Sequence, residues 1–200
     1  KIAAILDRLE LAPGDRLLEI GCGWGTLARA AADRGAKVDA ISLSDEQLAW
    51  ARQQAGGEAR FLKQDYRDTR GQYDAIASVE MVEALGREYW PTFMDSIAQN
   101  LKPGGRAAIQ FIAIKDELFD AYAASADFIQ AYIFPGGLLI RASEFRRLAQ
   151  DRGLGWQDET RFALDYAETL RIWRDNFDRA ASEGLLPSGF DDRFKALWRY

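Results

Sequence analysis

Acid–base chemistry in this chain falls to carboxylates, tyrosines, one thiol or a bound ion, because its 200 residues include no histidine and a single cysteine, Cys22. The same absences rule out an internal disulfide and most metal sites, so no metal centre is expected. Nothing near Cys22 in the sequence would lower its pKa, and it reads as a small buried residue beside a turn. The other grouping with a chemical use is Gly21-Cys22-Gly23-Trp24-Gly25, entered from the apolar residues Leu17, Leu18 and Ile20 and left through an alanine-rich run to Arg34. Glycines at such a turn let a nucleotide-like molecule lie against bare backbone, at a helix end whose free N–H groups favour polar ligands. A dinucleotide fingerprint would be G-x-G-x-x-G, with an acidic residue about 20 positions on to hold the ribose. Here Thr26 stands where the third glycine should be, and Ser42, Leu43 and Ser44 replace the carboxylate. A nicotinamide dinucleotide is therefore the weaker reading.

These residues need elements to position them, and the hydropathy pattern supplies those. Apolar residues at 2, 5, 6 and 9 predict a lead-in helix, broken by Pro13-Gly14. Strands are expected near 16–21, 37–43, 59–65, 73–79 and 106–114. Helices are expected over 24–34, from a Ser44-x-x-Gln47 capping box to Gly56-Gly57, and over 87–101. Strict alternation argues an α/β protein with a doubly wound, mostly parallel sheet. From about 115 to 142 the alternation breaks into an aromatic-rich, helical insertion. Helices at 143–152 and 166–181 then flank a sixth expected strand at 155–162.

A hydrophobic content of 48% over 200 residues suits one sizeable core and a single domain. The net charge of -5 and pI near 5.0 provide no basic stripe, so nucleic-acid binding is not expected. No apolar run approaches the roughly 18–20 residues of a membrane-spanning helix, and no signal-peptide layout is visible, which predicts a cytoplasmic location.

Taken with KQDY after the third strand and LKPGG before the fifth, the glycine turn resembles that of the class I S-adenosylmethionine-dependent methyltransferases. The set LEIGCGWGTLA, ISLSDEQ, QDYRD, SVEMVEALG, LKPGG, YIFPGG and DYAETLRIW is more specific. In order and spacing it resembles the cyclopropane fatty acid synthase family over essentially the whole chain. Members transfer the methyl of S-adenosylmethionine to a carbon of an unsaturated fatty acyl double bond in membrane lipid. The resemblance implies a Rossmann-like methyltransferase with the cofactor lined by Gly21, Gly23, Trp24, Gly25, Ser42, Leu43, Ser44 and Gln47. It puts Asp65 at the adenine amino group, counts Tyr66 among the cofactor residues and packs Val79 near the sulfonium end.

Methylating an alkene makes a carbocation, so such a site must exclude water, stabilise positive charge and accept a proton. Aromatic faces suit the cation; Tyr66, Phe111, Tyr132, Phe134 and Tyr166 are candidates. Phe111, Phe128, Tyr132 and Phe134 are expected to meet substrate, with the insertion as a lid over an apolar tunnel. Family members hold a bicarbonate with a Glu in an F-E-H motif, a His in the fifth strand, a Tyr in the late D-Y segment and an upstream Cys. The counterparts here are Glu83, Gln110 and Tyr166, and Ala84 replaces the motif's own histidine. Glutamine donates a hydrogen bond to an anion but takes no proton. Either bicarbonate is bound with a neutral amide, or Glu83 itself receives the proton, with Glu80 as the rival carboxylate. The second option fits a branch making methylene- or methyl-branched acids or furan fatty acid precursors.

The implied partner is an unsaturated fatty acyl phospholipid reached by peripheral membrane contact, with Arg141, Arg146 and Arg147 near lipid phosphates; a homo-oligomer is left open. A small-molecule methyltransferase on the same scaffold and a non-catalytic cofactor-binding protein are the alternatives. Residues 190–200 read as an unfinished amphipathic helix with no closing strand, so the single domain is expected to continue beyond both chain ends.

Overall fold

A computed structural model describes residues 1–54 and 56–200. Its main sheet joins β1 (Arg16–Ile20), β2 (Lys37–Ser42), β3 (Ala59–Lys63), β4 (Tyr73–Val79) and β5 (Leu101–Gln110), all parallel, in the order β3-β2-β1-β4-β5. Both faces are covered, which is why Leu17-Leu18 and Ala75–Ser78 run almost without polar alternation. On one face α1 (Ile2–Leu9), α2 (Thr26–Asp33) and α3 (Asp45–Gln53) bury Leu6, Leu9, Leu27, Ala31 and Leu48 against Leu17, Val38, Ala75 and Ala77. On the other, α4 (Trp90–Asn100) and α6 (Ala142–Gln150) bury Phe93, Ile97, Phe145 and Leu148 against Leu18, Ile20, Ile41 and Ile76. Winding proceeds outward from β1 to β3 and then restarts at β4 on the other side. The crevice outside the carboxyl ends of β1 and β4 is thus the switch point where ligands bind in such sheets. Ser78 Oγ donates to Ile20 O at 2.9 Å and ties those two strand ends together.

The opposite edge of the sheet is stapled by charge. Asp39 is buried there and accepts from the Tyr73 hydroxyl at 3.0 Å and from the Arg16 and Arg60 guanidiniums. Burial, followed by the Asp39 charge, pushes the Tyr73 phenol up to about 12.

The expected fifth strand, 106–114, is broken at Phe111. β5 ends at Gln110, and β6 (Ala113–Ile114) pairs instead with β7 (Ile140–Arg141) in a separate two-stranded ribbon. The segment between them carries α5 (Phe119–Ala123) and a wide helical turn at Ile129–Ile133. No strand forms over 155–162. Trp156 alone packs inward, with its ring 6.0 Å from Phe145, and the left-handed φ of 52° at Asp158 interrupts the extension. The capping box is half made. Ser44 Oγ accepts the Gln47 N–H at 3.2 Å, but Gln47 Oε1 accepts from Ser42 Oγ at 3.3 Å instead of reaching the Ser44 N–H.

By its contacts the chain divides into two compact units, Lys1–Trp156 and Gln157–Tyr200. The first holds the whole sheet. The second holds α7 (Ala163–Ser182) and α8 (Asp192–Arg199); Asp191 caps α8 by accepting the Phe194 N–H at 2.8 Å, and Phe190 stacks on Phe194 at 4.2 Å.

Candidate functional site

The glycine turn is held from below and bare above. Gly21 N–H and Cys22 N–H both donate to Ile41 O at 3.0 Å, fastening the turn to β2. Gly25, the N-cap of α2 at φ 81°, admits no side chain: a Cβ there would lie 2.8 Å from the Phe61 ring and 2.9 Å from Ala51 Cβ. Gly23 is the reverse case, since a Cβ would meet nothing within 4 Å and its backbone faces open space. Two apolar side chains stand at the same edge, Trp24 at 54% and Leu43 at 63% exposure. Ser42, Ser44 and Gln47 form the short network that starts α3. After β3, Asp65 starts a helical turn over 66–68 by accepting the Arg67 N–H at 2.9 Å, and it pairs with the Arg67 guanidinium at 2.7 Å. That guanidinium holds the Asp65 carboxyl below the usual carboxylate range. Tyr66, in contrast, turns into the core, edge-on to Phe93 at 5.5 Å. Bare backbone, an exposed apolar rim and an ionised aspartate together suit an adenosyl cofactor.

Carboxylates gather at the end of β4. Glu83 lies in a helical turn at Val82–Ala84. Its Oε1 accepts the Ile112 N–H, while its Oε2 is buried without a partner. Burial, and then the Glu80 charge, pushes the Glu83 carboxyl above its ordinary value. Glu80 sits at φ 53°, donates its N–H to Gln110 O at 2.8 Å and pairs with Lys1 Nζ at 3.0 Å. Gln110 ends β5 opposite Val79, and its buried Oε1 also lacks a partner. Strand register therefore brings Val79, Glu80, Glu83 and Gln110 to one edge, beside the glycine turn.

The insertion reaches this edge through backbone. Leu138 N–H donates to Glu83 O at 3.0 Å, pinning the end of the Pro135-Gly136-Gly137 loop to the glutamate. Phe128 and Tyr132 meet at 5.4 Å, and Tyr132 and Phe134 are exposed. Phe111 packs against Phe145 at 4.5 Å, on the core side. Arg141 lies over Phe119 at 4.5 Å and pairs with Glu144, Arg147 pairs with Asp151, and Arg146 lies over Trp156, so all three arginines have protein partners. Tyr166 belongs to the second unit, where its ring is 6.3 Å from Phe162.

Two further residues at this edge escape a reading of motifs. Met81 packs over Gly21. Glu19, 3% exposed at the fourth of the five positions of β1, has its Oε2 buried without a partner, and the start of α2 beside it is capped by a glycine with no side chain to offer. Burial pushes its carboxyl up to about 8. The visible signal was a single acid inside an apolar strand. Cys22 is likewise raised to about 12, first by burial and then by Glu19, as befits a packing residue.

A parallel sheet of this strand order, with a glycine turn after β1 and a capped helix after β2, is the Rossmann-like fold of class I S-adenosylmethionine-dependent methyltransferases. It aligns with the cyclopropane synthase MmaA2 of Mycobacterium tuberculosis at TM-score 0.85 and 22% identity, over 99% of this chain and 75% of that one. The mycolic acid cyclopropane synthase CmaA1, complexed with SAH and CTAB, aligns at 0.84 and 23% identity over the same shares. The chain belongs to the mycolic acid cyclopropane synthetase family, whose profile matches residues 1–200. Tuberculostearic acid methyltransferase UfaA1 of M. tuberculosis is 40% identical over 99% of this chain and 48% of its own length. The cyclopropane-fatty-acyl-phospholipid synthase of Escherichia coli is 33% identical over 100% of this chain and 51% of its own length. The chain thus spans about half the length of these relatives.

Proposed function

We propose that this chain carries the methyl-transfer centre of an S-adenosylmethionine-dependent C-methyltransferase. Its substrate is the double bond of an unsaturated fatty acyl chain in a phospholipid, and its product a cyclopropane or a methylene- or methyl-branched fatty acid. The reading rests on Glu83, a half-buried carboxylate whose Oε2 is buried and uncommitted, at the switch-point edge of a methyltransferase sheet. When bound, S-adenosylmethionine supplies an electrophilic methyl group. The turn from Gly21 to Gly25, with Trp24, Leu43 and Ser42 to Gln47, would hold it, and Asp65 would accept from its adenine amino group. A C–C bond formed at one alkene carbon leaves its neighbour cationic, and Glu83 Oε2 takes the proton that must leave. Loss of that proton from the new methyl with closure onto the cation gives the ring. After a hydride shift to the cationic carbon, the same loss gives an exocyclic methylene. One base thus serves either outcome.

Bicarbonate is the other candidate acceptor. At this edge Glu83 Oε2 and Gln110 Oε1 are buried without partners; an anion would be met by the amide NH2 of Gln110 turned toward it, whereas direct transfer needs only Glu83 Oε2. Tyr132, Phe134 and the insertion as a whole meet the acyl chain, and peripheral contact with the bilayer delivers it. The test is to incubate the full-length protein with oleoyl phospholipid vesicles and S-adenosylmethionine, then analyse the fatty acids by mass spectrometry with double-bond location. Ring or methylene product is expected. Unmodified oleoyl chains from protein that still binds the cofactor would overturn the reading; methylation of a soluble acceptor would then favour the small-molecule alternative, and no transfer to any acceptor the non-catalytic one.

A further inference from the structure

Of three consecutive residues of α3, two meet the glycine turn and the third ties the helix to β3. Arg52 donates from Nε and Nη2 to Phe61 O at 3.1 and 2.8 Å, locking α3 to β3. Ala51 is buried where Gly25 comes closest, with the space for a Cβ on that glycine filled to 2.9 Å. Trp50, 50% exposed, presents its ring to Trp24 with centroids 6.4 Å apart and planes at 89°. An indole half in water on a helix surface is ordinary by itself. Here it lies edge-to-face against the one side chain that projects from the turn between two glycines. Trp24 borders on both sides a residue at positive φ, Gly23 at 52° and Gly25 at 81°, so the local backbone gives its side chain no neighbouring Cβ to lean on.

We infer that Trp50 is a positioning residue for the cofactor, acting through Trp24: it holds the Trp24 indole upright at the rim of the crevice, so that less side-chain freedom is lost when the cofactor covers that ring. The inference rests on the proposed cofactor site and assigns Trp50 no contact with the cofactor itself. Edge-to-face aromatic pairs stabilise by roughly 0.5–1.5 kcal/mol, which corresponds to about a 2- to 10-fold change in a dissociation constant.

Titration of the full-length protein with S-adenosylhomocysteine, followed by calorimetry and by tryptophan fluorescence, tests it. Trp50→Leu is expected to raise the dissociation constant about 2- to 10-fold, and Trp50→Phe, which keeps an aromatic edge, to stay within about two-fold of the parent. In a Trp24→Leu background, Trp50→Leu should change nothing further, because a residue acting only through Trp24 has nothing left to hold. The thermal midpoint of each variant shows that the fold persists, and a merely structural Trp50 would move the midpoint equally in both backgrounds. Unchanged affinity in Trp50→Leu, or equal weakening with and without the Trp24 ring, overturns the inference. Failure of the parent protein to bind S-adenosylhomocysteine would instead remove the cofactor reading.

Discussion

Glu83 is the residue on which the proposed chemistry depends. Replacing it by glutamine keeps an acceptor for the Ile112 N–H but removes the base, so product formation should fall by about 10²- to 10⁴-fold, read by mass spectrometry of the lipids. Thermal stability should hold or rise, because a buried carboxylate costs more than a buried amide. The base must be ionised to act, and burial raises its pKa. Turnover in the parent should therefore decline on acidification through a pKa above the ordinary carboxylate value of about 4.3, a limb that a pH–rate profile would reveal. Glu19 offers a cleaner stability measurement. Its carboxyl is raised from 4.5 to about 8, so the folded protein holds a proton that the unfolded chain has released. Its contribution is full below about pH 4.5 and is lost as the pH climbs to about 8. Melting midpoints measured across that window should fall less steeply in Glu19→Gln than in the parent.

Among the elements, the turn into α2 tolerates least change. Gly25→Ala would strain a backbone at φ 81° and drive its methyl into Phe61 and Ala51. A loss of more than about 1 kcal/mol is expected by chemical denaturation, together with loss of cofactor binding. The insertion carries a different test: Phe128→Glu or Tyr132→Glu should suppress lipid methylation while leaving S-adenosylhomocysteine affinity unchanged, as measured by calorimetry. Most of the sheet could be read from apolar runs bounded by glycine and proline, since strands buried on both faces need little else to declare themselves. The break in the fifth strand at Phe111 could not, because Phe111, Ile112 and Ala113 are as apolar as the residues before them. What ends β5 is the hydrogen bond from Ile112 to Glu83, a partner 29 residues earlier in the chain. The same distance effect hid the backbone conformation of Glu80. Its positive φ depends on how β4 leaves the sheet, and the letter E at that position carries no trace of it. Residues 155–162 misled for the opposite reason: Trp156 and Phe162 bracket five polar residues and imitate the two ends of a strand, where the backbone turns left-handed at Asp158.

At the scale of the whole molecule, a net charge of -5 and arginines already engaged by partners leave little electrostatic attraction for an anionic bilayer. Among the described residues no helix is long and apolar enough to cross a membrane. Exposed Ile129, Tyr132 and Phe134 offer apolar area for contact with a bilayer. Co-sedimentation with oleoyl vesicles should therefore change little when salt is raised from roughly 50 to 500 mM, whereas attraction by headgroup charge would collapse over that range. The pairing of β6 with β7 has a consequence of its own. Ala113 lies beside Ile140 and Ile114 beside Arg141, so the chain enters and leaves the insertion through one doorway. A segment whose ends meet can be exchanged as a cassette. Swapping residues 115–139 among relatives should transfer acyl-chain preference while the sheet keeps its melting behaviour, and such interchange is a route by which one methyl-donor chassis could have come to serve many lipids.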